Sequence, residues 1–306
     1  MCPGQGSQTP GFLSPWLEVP GVSDLLASLS DAASVDLIRH GTTSDEDTIK
    51  DTAVAQPLLV GAGIAAAMAL FGQAEDAGRL GGAGAVSGHS VGEITAAAAA
   101  GVLSAHDAMT FVALRGRGMA EASAATPTGM SAVLGGDPDE VAAAIEAAGL
   151  TAANNNGGGQ IVAAGTRDQI AAFAENPPAK ARVIPLKVAG AFHTSHMTPA
   201  VEALAEAARS LTTHRASVPI VSNRDGAVID DGAEVLARLV SQVSNPVRWD
   251  LCMDRLADLG VTGLIELPPS GTLVGLAKRG LKGVQTLAVK TPDDLEAART
   301  MIEEHA

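Results

Sequence analysis

Tyrosine is absent from this 306-residue chain, and aromatic side chains make up only 2% of it. A core without them is filled by Leu, Val, Ile and Ala, so its helices must approach one another closely. Cysteine occurs twice, as Cys2 and Cys252. Two isolated thiols make neither a disulfide framework nor a metal motif, which fits core positions in a reducing compartment. Basic residues number 20 against 34 acidic ones, for a formal net charge of −14. That field repels polyanions and argues against general binding of nucleic acid or of an anionic membrane. No apolar run is read as approaching the roughly eighteen residues of a membrane span, and the N-terminus lacks the charged and apolar regions of a signal peptide. A cytoplasmic protein is the expectation.

What the chain does have is a short stretch around which the rest is organised: Gly88-His89-Ser90-Val91-Gly92, preceded by Gly84-Ala85-Val86-Ser87 and followed by Glu93-Ile94-Thr95 and alanines to Ala100. The pattern reads as strand, turn and helix. In such a turn the small neighbours permit a strained backbone at the central Ser, which lifts its hydroxyl to a helix N-terminus where exposed N–H groups favour developing negative charge. On these five residues alone, a Gly-rich turn carrying a passive Ser is an equal alternative.

A Ser hydroxyl needs a base, normally a His held by a third group. His89 is poorly placed, because adjacent side chains at a strand end point to opposite faces. His193 lies in a Gly/Ala-rich linker, Ala189 to Met197, that can bring it over the turn; an ordinary hinge or core histidine fits the same local sequence. The spacing of His193 and His196 lacks the intervening Glu and the i, i+4 placement of zinc proteases, and no third ligand is evident, so no metal is expected. The exposed-looking groups Lys278-Arg279 with Lys282, and Lys180 and Arg182 with Lys187, are candidate basic patches on an otherwise acidic surface.

Taken in order, Met1 to Gln8 reads as a loop, with Gly4 and Gly6 letting the backbone at Gln5 come close to something. Residues 23–40 and 45–71 read as mostly helical, with Gln56-Pro57 as a helix start. Ser104-Ala105-His106-Asp107 resembles a capping box for a helix from about Ala105 to Glu121; Arg115 on it fits an ordinary solvated helix face, although its small and apolar neighbours would partly desolvate a charge there. From Gly129 the texture changes. Strands are expected at 130–134, 151–155, 160–164 and 182–188, and helices at 138–148 and 167–174, an order of βαββαβ that matches the split-βαβ, ferredoxin-like pattern. The Asn154-to-Gly159 stretch reads as a hairpin connection rather than an anion cradle. Later strands are expected at 219–223, 263–267 and 285–289, with helices at about 198–211, 232–242, 247–258 and 272–280, and a last one capped by Thr291. The fold class expected is α/β.

Four motifs then stand together: Pro3-Gly-Gln-Gly-Ser-Gln8, Gly88-His-Ser-Val-Gly-Glu93, Arg115-Gly116 and Gly190-Ala-Phe-His193, with Asn245-Pro246-Val247-Arg248-Trp249 as a fifth. In order and spacing, over essentially the whole chain, this resembles the malonyl-CoA:acyl-carrier-protein transacylases of fatty-acid synthesis and the acyltransferase domains of polyketide synthases. The resemblance implies an α/β-hydrolase-like large domain, residues 1–126 and 190–306, with an inserted ferredoxin-like small domain, residues 127–189. It implies Ser90 as nucleophile and His193 as base, the base oriented by the backbone carbonyl at Gln242, and an oxyanion hole from the N–H groups of Gln5 and Val91. It implies that Arg115 receives the malonyl carboxylate, that Phe192 marks the malonyl-type rather than the methylmalonyl-type enzymes, and that Asn154 and Asn156 lie near the cleft. Malonyl-CoA and an acyl carrier protein are the implied partners. No cofactor is implied, since coenzyme A belongs to the substrate and phosphopantetheine to the carrier.

Two departures from the family pattern carry expectations of their own. Members begin with a buried apolar strand before Pro-Gly-Gln-Gly, where here only Met1-Cys2 precede it; a missing central strand leaves ladder groups unpaired and misplaces Gln5. The Gly-Pro-Gly turn after the late strand reads Pro268-Pro269-Ser270-Gly271, which alters the loop. A serine esterase or thioesterase, a trans-acting acyltransferase of polyketide synthesis and a catalytically dead docking module are the competing readings.

Overall fold

The computed structural model describes residues 1–72, 80 and 82–305. Short strands build a central layer. Gln285–Ala288 pairs in parallel with Gly263–Glu266. On the other side of that strand, Leu267 N donates to Met1 O at 2.9 Å and the Met1 ammonium donates to Ile265 O at 2.6 Å. Cys2 is next bonded to the elbow strand, its N–H donating to Ser87 O and its carbonyl accepting from His89 N, each at 2.9 Å. Val86 bridges in parallel to Ile220, and Ile220–Val221 pairs antiparallel with Val228–Ile229. The elbow thus emerges mid-layer, as ligand sites do in α/β folds.

Met1 and Cys2 hold the central position that the sequence reading expected to be missing. Both neighbouring strands are bonded to them, so Gln5 is not displaced: it lies beside Ser90 in one cavity. A separate cavity of about 290 Å³ opens beside Met1, between Ala83–Val86 and Val261–Ile265.

The second sheet runs Ala181–Pro185, Thr128–Gly135, Gln160–Thr166, Thr151–Gly157, all antiparallel. Val133 faces Ile161 on one side and Val183 on the other. Helices Pro138–Ala147 and Arg167–Glu175 start where their caps predict, at Asp137 and at the Thr166/Gln169 capping box. They cover the sheet through Val141, Ile145, Ile170 and Phe173 packed on Val133 and Ile161. Val247–Arg248 joins the far edge in parallel to Asn154–Asn155. The expected helix over 247–258 therefore begins only at Trp249, because Arg248 N donates to Asn223 O at 2.7 Å and keeps the preceding backbone extended.

The mostly helical reading of 23–40 and 45–71 holds with finer divisions, and two other expectations, the helix start at Gln56-Pro57 and the lack of a long apolar run, are corrected. Residues 23–40 form two helices, Val22–Ala33 and Leu37–Thr42, broken at Ser34 with φ +53°. The 45–71 span divides into Glu46–Lys50 and Thr52–Phe71 at Asp51, whose carboxylate accepts from Ala53 N at 2.8 Å; Pro57 lies inside the second helix, not at its start. That helix carries no charged side chain and is long and apolar enough to cross a membrane, against the reading that no such run exists. Its residues are mostly buried in the protein, the behaviour of a core helix apolar on all faces. It packs along Ala105–Ala125, which starts at the predicted Ser104 cap.

The altered loop after Glu266 is closed by that residue. Its buried carboxylate accepts from the N–H groups of Gly271, Leu273 and Val274 at 2.9, 3.0 and 2.8 Å, capping helix Thr272–Gly280 from the neighbouring strand.

Candidate active site

Ser90 sits at the junction of the elbow strand and helix Gly92–Ala99 with φ +53°, in the left-handed region that only small neighbours tolerate. The glycines on either side are sterically required. A Cβ at Gly88 would lie 2.0 Å from the Gly92 carbonyl, and one at Gly92 would lie 2.2 Å from Cys2 O. The turn is fixed from below by Asn223, whose Oδ1 accepts from Ser90 N and whose Nδ2 donates to Gly88 O, both at 2.7 Å.

His193 meets this serine from the linker, also with positive φ, +60°. Its Nδ1 lies 2.9 Å from the backbone carbonyl of Gln242, which can only accept, so Nδ1 carries the proton and Nε2 is the acceptor. Nε2 is 2.7 Å from Ser90 Oγ, the arrangement in which the hydroxyl donates to the base. Burial, reinforced by the nearby Arg115 charge, pushes His193 down to about 3. The imidazole is therefore neutral, and able to accept a proton, throughout the neutral range.

Arg115 is 1% exposed. Nη1 donates to Gln56 Oε1 at 2.7 Å, and Nη2 donates to Gln242 Oε1 at 3.0 Å and to Ser90 Oγ at 3.3 Å. Its Nε has no partner. Burial pulls its pKa down to about 10, opposed by the charge of Glu93, so the guanidinium stays cationic at neutral pH. Arg117, on the same helix, is exposed.

These groups adjoin a cavity of about 230 Å³ between the two sheets, whose walls include Gln5, Gln56, Ser90, Val91, Phe192 and His193. Among the described residues, neither the Gln5 nor the Val91 N–H donates to another protein group. Asn154 and Asn156 also line it, and both are buried. Asn156 Oδ1 holds His89 Nε2 at 2.8 Å, and His89 packs on Trp249 rather than on Ser90, as its sequence position predicts. Arg115 and Gln242 stand behind this wall rather than on it. The larger cavity at Met1 contains none of the predicted residues. Sequence reasoning thus brought Ser90, His193, Arg115, Gln5 and Gln242 to one place but assigned no role there to Gln56, Asn223 or the buried Glu93, the last read only as the end of a motif.

A strained serine at a helix N-terminus, a neutral histidine bonded to it and a buried cation beside it define a site for nucleophilic acyl transfer, on an α/β fold with mixed strand pairing. The chain belongs to the acyl transferase domain family, whose model matches residues 1–301. It is 51% identical to the malonyl CoA-acyl carrier protein transacylase of Mycobacterium tuberculosis over 296 residues, 97% of each chain. The protein of the same name from Bacillus subtilis is 33% identical, with 99% of this chain and 96% of that one covered. The crystal structure of MCAT from Mycobacterium tuberculosis superimposes with a TM-score of 0.93, covering 97% of this chain and 98% of that one at 51% identity.

Proposed function

We infer that this protein moves a malonyl group from malonyl-CoA to the phosphopantetheine thiol of an acyl carrier protein, through an ester on Ser90, for fatty-acid or polyketide synthesis. The observation that carries this reading is the convergence on Ser90 Oγ of a neutral base at 2.7 Å and a buried guanidinium at 3.3 Å. In the first half-reaction Ser90 Oγ attacks the thioester carbonyl while His193 Nε2 takes its proton. The tetrahedral oxyanion lies against the N–H groups of Gln5 and Val91, each donor contributing about 2.7–4 kcal/mol. Collapse breaks the C–S bond, His193 returns the proton to the leaving coenzyme A sulfur, and malonyl-Ser90 remains. The carrier thiol then gives its proton to His193 and attacks the ester, and Ser90 recovers the proton. The reading calls for no cofactor.

Malonate's free carboxylate takes the Nη1 position now held by the Gln56 carbonyl, a charge-assisted pair that an acetyl group cannot make. Phe192, buried on the cavity wall, limits the space available beside the acyl α-carbon. The domain division that accompanies this reading is a hydrolase-like catalytic part, residues 1–126 and 190–306, with a ferredoxin-like insert, residues 127–189; the strand order 181–185, 128–135, 160–166, 151–157 supports it. Support for transfer over a hydrolase comes from the orienting group of His193, a backbone carbonyl rather than the carboxylate of the esterase triad. A carrier-protein partner is in keeping with one structural neighbour, 28% identical with a TM-score of 0.87, a malonyl-transacylase in complex with its type II PKS acyl-carrier protein. Incubation with labelled malonyl-CoA is expected to leave label on Ser90 that a carrier thiol discharges. A folded protein that takes no label, or that releases free malonate at the same rate without carrier, would overturn the reading.

A further inference from the structure

Glu93 lies three residues past the nucleophile and is 4% exposed, yet the reaction above gives it no task. One carboxylate oxygen accepts from the backbone N–H of Asn223 at 2.7 Å, and the other accepts from Gln242 Nε2. The far side of each partner touches the reacting groups. Asn223 Oδ1 holds Ser90 N at 2.7 Å, while Gln242 holds Arg115 Nη2 through its side-chain oxygen at 3.0 Å and His193 through its backbone carbonyl at 2.9 Å.

Burial raises the Glu93 carboxyl to about 7, opposed by the hydrogen bond from Asn223 N and by the Arg115 charge. In its ionised form both oxygens only accept, which sets the Gln242 amide with nitrogen toward Glu93 and oxygen toward Arg115. Without that carboxylate the amide nitrogen loses its acceptor, and the donors of Arg115 alone hold the oxygen in place. Distance matters as much as orientation. A buried cation needs a nearby opposite charge, but a carboxylate bonded directly to the guanidinium fork would occupy the place of an anionic acyl group. Glu93 supplies the charge from one amide away, and no salt bridge within 4.0 Å joins Arg115 to an acid among the described residues.

We propose that Glu93 is a positioning residue for acyl selection: acting through Gln242, it holds the Arg115 guanidinium beside Ser90, unpaired and ready for an anionic acyl group. The proposal rests on the malonyl-transfer reading and extends it by one layer.

The test compares Ser90 acylation from malonyl-CoA and from acetyl-CoA in Glu93→Gln and Gln242→Met, with thermal unfolding of each variant. Both are expected to lose about 10- to 100-fold in kcat/KM for malonyl-CoA, mainly through KM; Glu93→Gln is expected to keep acetyl transfer within about threefold, and Gln242→Met, at the residue whose backbone carbonyl orients His193, to lose less with acetyl-CoA than with malonyl-CoA. On an Arg115→Ala background neither substitution is expected to cost anything further. Equal losses for both acyl groups, or a malonyl loss that persists without Arg115, overturn the proposal. So does failure of both variants to fold, which would make Glu93 a structural residue; if only Glu93→Gln fails, Gln242→Met decides. Unmodified protein run alongside separates this outcome from failure of the underlying reading, in which malonyl-CoA leaves no label on Ser90 even there.

Discussion

Ser90 and His193 share more than the 2.7 Å contact between their side chains: both hold left-handed backbones, at φ +53° and +60°. Each such residue costs of order 1–3 kcal/mol unless it is glycine, and here the two reacting groups carry that cost together. The surrounding turn and linker hold them in conformations that bring Oγ and Nε2 together.

Ser90→Gly and Ser90→Ala both remove the hydroxyl, and both are expected to abolish acylation. They differ in a Cβ at positive φ. Glycine, ordinarily the less stable choice, is expected to leave the protein more stable than alanine by about 1 kcal/mol. Urea unfolding of the two variants measures the difference; the ordinary order, alanine above glycine, would show that the turn is unstrained.

Arg115→Ala removes the cation without touching the bond between Ser90 and His193. Malonyl transfer is expected to fall by about 10²- to 10⁴-fold while acetyl transfer is maintained or rises, so that the discrimination collapses. Parallel kcat/KM values for the two thioesters check this. Unchanged discrimination would move acyl selection to another residue.

His193 gives a pH signature with a definite sign. Its native pKa of about 3 lies below the ordinary 6.5, so between those values the unfolded chain binds a proton that the native protein refuses. The stability linked to this group is fully present above pH 6.5 and is lost as the pH falls toward 3. His193→Asn keeps a residue tolerant of positive φ and removes the titration. Its stability is expected to fall less steeply across that window, by up to about 1.4 kcal/mol per pH unit, with a constant offset above pH 7. Unfolding curves at a series of pH values report the slope; parallel slopes for the two proteins would mean that the imidazole is not held neutral by burial.

Local chemistry made part of this site legible. The glycines around Ser90 announce a tight turn, and caps at Ser104, Asp137 and Thr166 mark helix starts, because each rests on backbone geometry decided within a few residues. Arg115 was nearly silent, since one arginine on a helix reads as solvated until its neighbours in space are known. Glu93 closes a motif and Gln56 reads only as part of a helix start, but neither these nor Asn223 showed a role: their burial comes from partners far along the chain, such as Gln242 for Glu93. The same holds for Val247–Arg248, read as helix because its strand partner, Asn154–Asn155, lies some ninety residues earlier in the chain. The charge-free helix Thr52–Phe71 was obscured by Gln56-Pro57, which looked like a beginning while the carboxylate of Asp51 had already supplied one.

Arg115 lies behind the cavity wall and is bonded to two residues that line it, Ser90 and Gln56. On the malonyl-transfer reading, a thioester is therefore screened at the innermost point of its path, after the bulky carrier portion has already been admitted. Coenzyme A and carrier-bound acyl chains meet the same inspection, because it begins only where the nucleotide or the protein no longer reaches.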